Sequence, residues 1–373
     1  MPRQKPTVFF ASARTKQGSD LLTKTERIFE AAGFKSLVDP GDLVAVKLSF
    51  GEPGNTAYLR PQFVRRVVKK IRECGGKPFL TDANTLYVSR RANAVDHLEA
   101  ALENGFAYSV VGAPLVIADG LIGKDFVEIP TKKKHFEFIK VGSAAYNSDA
   151  IIGLAHFKGH EATGFGGAIK NIGMGFGSRS GKQMMHSDVL PVVDLEKCLA
   201  CGKCIRWCPA QAISLVSGSK KHASINQEVC IGCGECTVTC PSGALEIGWK
   251  QEENLLQEKI VEFTWGILEE KKEKAGFINF LLDICPDCDC VSWSDIPVVN
   301  DIGILASRDI VALDQASIDL VNSQEGLPDS ELGKKVPKKQ DKFKLIHNID
   351  WEVQLKYAEE IGLGSREYKL VEI

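Results

Sequence analysis

The stretch AIIGLAHFKGHEATGFGGAIKNIGMGFG, Ala150 to Gly177, decides the fold. Its first five residues are uniformly apolar, the pattern of a strand covered on both faces, as in a parallel sheet sandwiched by helices. The run then enters a glycine-rich segment carrying His156, Lys158, His160, Lys170 and Asn171. The Gly-Phe-Gly-Gly turn at 164–167 predicts a helix entry whose N-H groups can face a carboxylate or phosphate, with Lys170 completing that anion site or forming a covalent adduct. The spacing differs from the Walker pattern, so no nucleotide is inferred.

Outward from this stretch the same alternation continues. Leu43 to Leu48 and Lys77 to Leu80 read as strands, and Pro61 opens a helix whose Val64, Val67, Val68 and Ile71 share one face before Gly75-Gly76 ends it. Ala92 to Leu102 reads as another helix. Further on, Leu256, Ile260, Phe263 and Ile267 line a helix face, Phe277 to Ile284 reads as a strand, and Asp309 caps a helix running to Val321. The fold class is therefore α/β, a mostly parallel sheet covered by helices. Two turns that follow strands, KLSFGEPGN (Lys47 to Asn55) and TDANTLY (Thr81 to Tyr87), should gather at the strands' carboxyl ends, where Lys47, Asn55, Asp82 and Asn84 can line one crevice with Lys170 and Asn171.

Between 189 and 249 the pattern breaks into short pieces punctuated by Cys and Pro. An inserted module splits the α/β domain into a first part, 1–188, and a second part, 250–373, which should fold together. CLACGKCIRWCPAQAISL from Cys198 repeats as CIGCGECTVTCPSGALEI from Cys230, each a C-x2-C-x2-C-x3-C-P run. Three closely spaced thiolates can wrap one iron-sulfur cube, while the fourth, followed by Pro, is carried to the other. Cys198, Cys201, Cys204 and Cys240 are thus assigned to one [4Fe-4S] cluster, and Cys230, Cys233, Cys236 and Cys208 to the second. Gly202, Gly232 and Gly234 allow the tight backbone bends that aim N-H groups at sulfide.

Of the twelve cysteines, Cys74 lies alone at a helix end and reads as structural. Three more occur in CPDCDC, where Cys285, Cys288 and Cys290 suit a metal, a third cluster or a nucleophile, and His156 or His160 can supply a missing ligand. The bland alternative is a solvated turn held by Asp287 and Asp289. Lys plus Arg (46) nearly balances Asp plus Glu (48), a formal charge of -2, so no global field draws nucleic acid or an anionic membrane. The charge runs TKKKH (Thr131 to His135) and GKKVPKKQDKFK (Gly333 to Lys344) read as solvated loops or a docking patch for an acidic partner. Neither a signal-like start nor a membrane-length apolar stretch is present, so the expected compartment is cytoplasmic, where clustered thiols bind metal.

The cysteine module resembles the bacterial two-cluster ferredoxin, an α+β unit that carries single electrons at low potential. The whole chain, through VKLSFGEPGN, TDANTLY, HFKGHEATGFGGAIKNIGMG, CPDCDC and DIGILASRDIVALDQAS, resembles the family called domain of unknown function 362, in its subgroup with an inserted ferredoxin module. More distantly, His156, Gly166, Gly167 and Lys170 look like the corresponding arrangement in nickel-pincer lactate racemases. That likeness implies a shared fold and cleft, with Lys170 as tether candidate and His156, His160 or His186 as ligand or acid-base candidates; Lys158, CPDCDC and the two clusters depart from it. The expected function is an iron-sulfur oxidoreductase, or an electron-donating subunit of one. Electrons from a redox partner would reach a small anionic substrate or metal centre in the cleft, with no nucleic acid or membrane involved. A carrier without chemistry of its own, or a metallocofactor or iron-sulfur maturation factor, is the alternative.

Overall fold

A computed structural model describes residues 5–373 apart from Val88, 187–189, Pro209, Ser219, Ile231, Cys233, 248–252 and 272–273. The eight strands of the central sheet, numbered along the chain, are β1 (Thr7–Ser12), β2 (Leu43–Lys47), β3 (Lys77–Asp82), β4 (Leu115–Ile117), β5 (Ala150–His156), β6 (Ala275–Leu281), β7 (Gly303–Ser307) and β8 (Lys369–Glu372). They lie in the order β8-β1-β7-β6-β5-β2-β3-β4. Only β7 runs against its neighbours, so the sheet is mostly parallel, as the sequence pattern requires.

Side chains alternate between two cores because the strand period is two. Ala150, Ile152 and Leu154 of β5 join Val44, Val46 and Leu80 beneath α1 (Leu21–Ala31) and α2 (Pro61–Glu73). Ile151 faces the other layer, built from α3 (Ala168–Phe176), α5 (Glu253–Glu269) and α6 (Ile310–Ser323), with the short α4 (Arg179–Met185) following α3. The expected face of α5 is buried at Leu256, Ile260, Phe263 and Ile267. Asp309 caps α6 by accepting from the Val311 and Ala312 amides. Because β5 lies beside β6 while β1 lies between β7 and β8, the segments before and after the cysteine-rich region share one sheet.

Some expectations shift. The strand read as Phe277 to Ile284 is Ala275–Leu281, and the chain bends away at 282–284 into the CPDCDC loop. The charge runs are not wholly solvated: His135 pairs with Glu258 at 2.5 Å, and Lys342 is buried, donating to the carbonyls of Asn322 and Pro337. No helix among the described residues is long and apolar enough to cross a membrane.

From 191 to 247 the chain forms two small antiparallel pairs, Pro191–Val193 with Leu245–Ile247 and Ile213–Val216 with His222–Ile225, around its own small core. It joins the sheet domain through Lys140, whose Nζ lies 3.0 Å from Glu235, and through Lys124, stacked on the Trp207 ring at 3.5 Å. Gly234 has φ +71°, and a Cβ there would drive into the Gln183 side chain of α4, so glycine is required twice over.

Candidate functional site

The carboxyl ends of β2, β3, β5 and β6 converge, as expected for ligand-binding edges of parallel sheets. Lys47, the last residue of β2, is buried, with Nζ 3.0 Å from Asp82 at the end of β3 and 3.0 Å from the Asn171 side-chain oxygen it donates to. Asn171 in turn donates to the carbonyls of Lys47 and Leu154. Burial pushes the Lys47 ammonium below its usual range, opposed by Asp82. The same burial would raise Asp82, yet Lys47, His97, Lys182 and Arg91 hold it below the ordinary carboxylate value.

Two of the expected crevice residues act as tethers. Asn55 donates to the carbonyls of Val291 and Trp293, and Asn84 to Asp119 and the Gly120 carbonyl. Further ties hold the 285–290 loop. Arg91 donates to Glu52 at 2.7 Å and to the Tyr87 hydroxyl, which itself donates to the Cys290 carbonyl; the Glu52 amide donates to the Asp289 carbonyl.

Asp289 does not belong to a solvated turn. It is buried, with His156 Nδ1 at 2.7 Å from one carboxylate oxygen and Lys158 Nζ 3.3 Å from the other. Burial opposes its charge, but Lys158 and His156 outweigh it and hold the carboxyl well below its usual range. His156 Nε2 faces the carbonyls of Leu282 and Asp283 at 3.0 Å, so both ring nitrogens are engaged within the chain.

The glycine turn does open a helix, but its amides meet an internal anion. Asp314 of α6 accepts from the Ala168 and Ile169 amides and from the Asn279 side chain. A Cβ at Gly167 would collide with that carboxylate. The predicted anion site at this helix start is therefore filled by the protein itself, and Lys170 points elsewhere: its Nζ lies 3.5 Å from Cys288 Sγ.

The three thiols of CPDCDC separate. Cys285 donates to the Asp295 carbonyl, and burial together with nearby carboxylates pushes it up to about 12. Cys288 and Cys290 instead join His160, brought in by the hairpin of Lys158–His160 and Gly164–Gly166; one ligand atom from each lies within 4.8 Å of the others, close enough for a metal ion. A hydrogen bond from Cys290 and the Lys170 and Lys158 charges hold Cys288 low against its burial, while Cys290 is raised. Burial, reinforced by Lys170 and Lys158, holds His160 well below the usual imidazole value.

In the cysteine-rich segment, Cys198, Cys201, Cys204 and Cys240 line one small cavity, and Cys208, Cys230 and Cys236 line a second. Cys233 lies outside the described residues. The fourth cysteine of each run therefore faces the other run's cavity. Backbone amides point at sulfur in both: Ala212 at Cys208 (3.2 Å), Ala244 at Cys240 (3.3 Å) and Ala223 at Cys198 (3.4 Å). Gly202, Gly232 and Gly234 all adopt left-handed φ, as the bends require.

Sequence reasoning missed Glu52, Arg91, His97, Asp119, Lys182 and Asp314, all buried. Tyr87 and Asp314 stand inside motifs already singled out, but the Cys290 carbonyl that Tyr87 meets and the Ala168 and Ile169 amides that Asp314 meets lie 145 to 203 positions away along the chain.

Among known proteins, a thylakoid-associated protein of Synechocystis sp. is 25% identical over 180 residues, 47% of this chain and 51% of that one. The chain thus aligns with about half the length of this curated relative. Two solved structures are distantly similar. The lactate racemase apoprotein of Thermoanaerobacterium thermosaccharolyticum matches with TM-score 0.37 and 11% identity, over 74% of this chain and 51% of that one. A Thermotoga maritima protein matches with TM-score 0.35 and 13% identity, over 69% and 50%. The fold class accordingly rests on the sheet itself. The model of the family described as "Domain of unknown function (DUF362)" matches residues 44–319, most of the chain, and the chain belongs to that family.

Proposed function

We propose that this chain is an iron-sulfur redox protein whose 189–249 segment holds two [4Fe-4S] clusters, and whose sheet domain receives the electrons at the carboxyl ends of β2, β3, β5 and β6. The observation that carries the reading is the sorting of the described motif cysteines into two cavities, with Cys240 in the first and Cys208 in the second. A zinc knuckle uses neighbouring ligands and has no need of this exchange. The N-H groups aimed at Cys198, Cys208 and Cys240 suit thiolates, since they stabilise negative charge on sulfur. When bound, such clusters supply one-electron transfer at low potential.

The chain's own residues support a destination in the sheet domain. Gly234, in the wall of the second cavity, touches Gln183 of α4. Three residues on stands His186, whose charge is among those that lower the His160 pKa, which supports a route through α4 from the cysteine segment toward the site of Lys170, Cys288 and Cys290. The partner in this reading is a low-potential electron donor, and Lys170 favours a substrate that bears negative charge.

Paired substitutions test the exchange of cysteines. Cys204→Ser with Cys240→Ser removes two groups from one cavity and should leave about four irons per chain, whereas Cys204→Ser with Cys208→Ser touches both cavities and should leave almost none. The opposite ranking would overturn the assignment.

A further inference from the structure

Nothing in a two-cluster carrier requires the arrangement at 285–290, where one loop presents three thiols in two different settings. Cys285 is committed to the Asp295 carbonyl. Cys288 and Cys290 face each other beside His160 and Lys170, and the residue between them, Asp289, turns away to His156 and Lys158.

We propose that Cys288 and Cys290 are a redox-active dithiol that cycles through an intramolecular disulfide, with Cys288 as the attacking thiolate and a small disulfide as the oxidising substrate. Delivery of electrons to this pair rests on the electron-transfer reading above; the dithiol itself does not.

Four observations carry the assignment. First, the Lys170 ammonium lies 3.5 Å from Cys288 Sγ, a placement that stabilises a thiolate there and not at Cys285. Second, the Cys288 and Cys290 sulfurs lie within 4.8 Å of each other in unequal settings, the surroundings favouring the thiolate at Cys288 and the thiol at Cys290. Third, the loop backbone is fixed by the Tyr87 hydroxyl on the Cys290 carbonyl and the Glu52 amide on the Asp289 carbonyl. Side-chain rotation is then the movement needed to reach an S-S bond of about 2.05 Å.

The fourth observation separates this from a resident metal. His160 Nδ1 accepts the Ala162 amide hydrogen at 3.0 Å, which leaves the proton of a neutral ring on Nε2. Neither nitrogen then offers a free lone pair. Metal-bound imidazoles usually donate from the second nitrogen, whereas this one receives.

The chemistry balances without further components. The Cys288 thiolate attacks one sulfur of the substrate disulfide, forming a mixed disulfide and releasing the first thiolate. Cys290 then attacks Cys288 Sγ, closing the intramolecular bond; the second substrate thiolate departs with the proton Cys290 loses. To reset, the Cys288-Cys290 bond breaks on accepting two electrons from two one-electron deliveries, Cys290 takes up a proton and Cys288 returns as the thiolate facing Lys170. Cys288 is 4% exposed, which restricts the substrate to a small molecule.

The test uses the full-length protein, purified anaerobically, equilibrated at graded ratios of reduced to oxidised dithiothreitol, alkylated, digested and mapped by mass spectrometry. A Cys288-Cys290 disulfide should form as one two-electron couple while Cys285 and Cys74 stay alkylatable. Lys170→Gln should slow iodoacetamide capture of Cys288 at neutral pH by about tenfold or more, as one pKa unit of lost thiolate implies. Three results would overturn the proposal: no such disulfide at any ratio, a disulfide that enlists Cys285, or one tightly held zinc that shields Cys288 and Cys290 in the wild-type protein. Iron is measured on the same samples. A disulfide that cycles in iron-free protein supports the dithiol while counting against electron delivery, and iron-replete protein that never forms the disulfide overturns the dithiol alone.

Discussion

The carboxylate of Asp314 accepts the Ala168 amide hydrogen at 2.7 Å, closing the start of α3 from inside the protein. The same carboxylate also accepts from the Ile169 amide and the Asn279 side chain. Asp314→Ala should therefore strand three buried donors and cost about 3 kcal/mol or more. Urea denaturation checks this, and a loss below about 1 kcal/mol would mean that water replaces the carboxylate.

Asp314 also sets a pH signature. Burial pushes its carboxyl up to about 6 from an ordinary 3.8. The native state thus holds this proton more tightly than the unfolded chain does. The contribution is complete below about pH 4 and is lost as pH rises through about 6, a change of up to about 3 kcal/mol. Asp289 and Asp82, held low, contribute with the opposite sign, present above the ordinary carboxylate pKa and lost in acid. The clean readout is the wild type minus Asp314→Asn difference in stability between pH 4 and 7, which should grow less favourable to the wild type with rising pH.

Lys47→Met should destabilise by about 3 kcal/mol or more, because it leaves the buried Asp82 carboxylate without its nearest cation. Thermal unfolding at neutral pH measures it. A neutral result would show that Arg91 and Lys182 neutralise Asp82 unaided.

The contact between the cysteine segment and the sheet domain centres on Lys140 and Glu235, 3.0 Å apart and mostly buried. A double-mutant cycle with Lys140→Ala and Glu235→Ala should give a coupling of about 1 kcal/mol or more, well above an exposed pair. Coupling near zero would mean that the two parts hold each other through the Lys124-Trp207 stack and the Gly234-Gln183 contact.

Much of this was readable from local pattern. The apolar run at 150–154, the one-sided helix from Pro61 and the Asp309 cap each depend on residues within a few positions, and each forms as the sequence implies. The spacing of the two cysteine runs likewise carries the proposed cluster pairing, and the described motif cysteines line two cavities. Long-range partners were not. Gly167 reads as an anion-binding turn until Asp314 arrives from another helix, and Asp289 reads as a turn residue until the end of β5 and the hairpin after it place His156 and Lys158 beside it. Lys170 was singled out as an anion ligand, and its partner proved to be the sulfur of Cys288.

The central claim, two clusters sharing eight cysteines, is tested most directly by quantifying iron and acid-labile sulfide in anaerobically purified protein. About eight of each per chain is the expected result. Iron near four or zero would contradict the account, and iron near twelve would place a third cluster at the 285–290 loop.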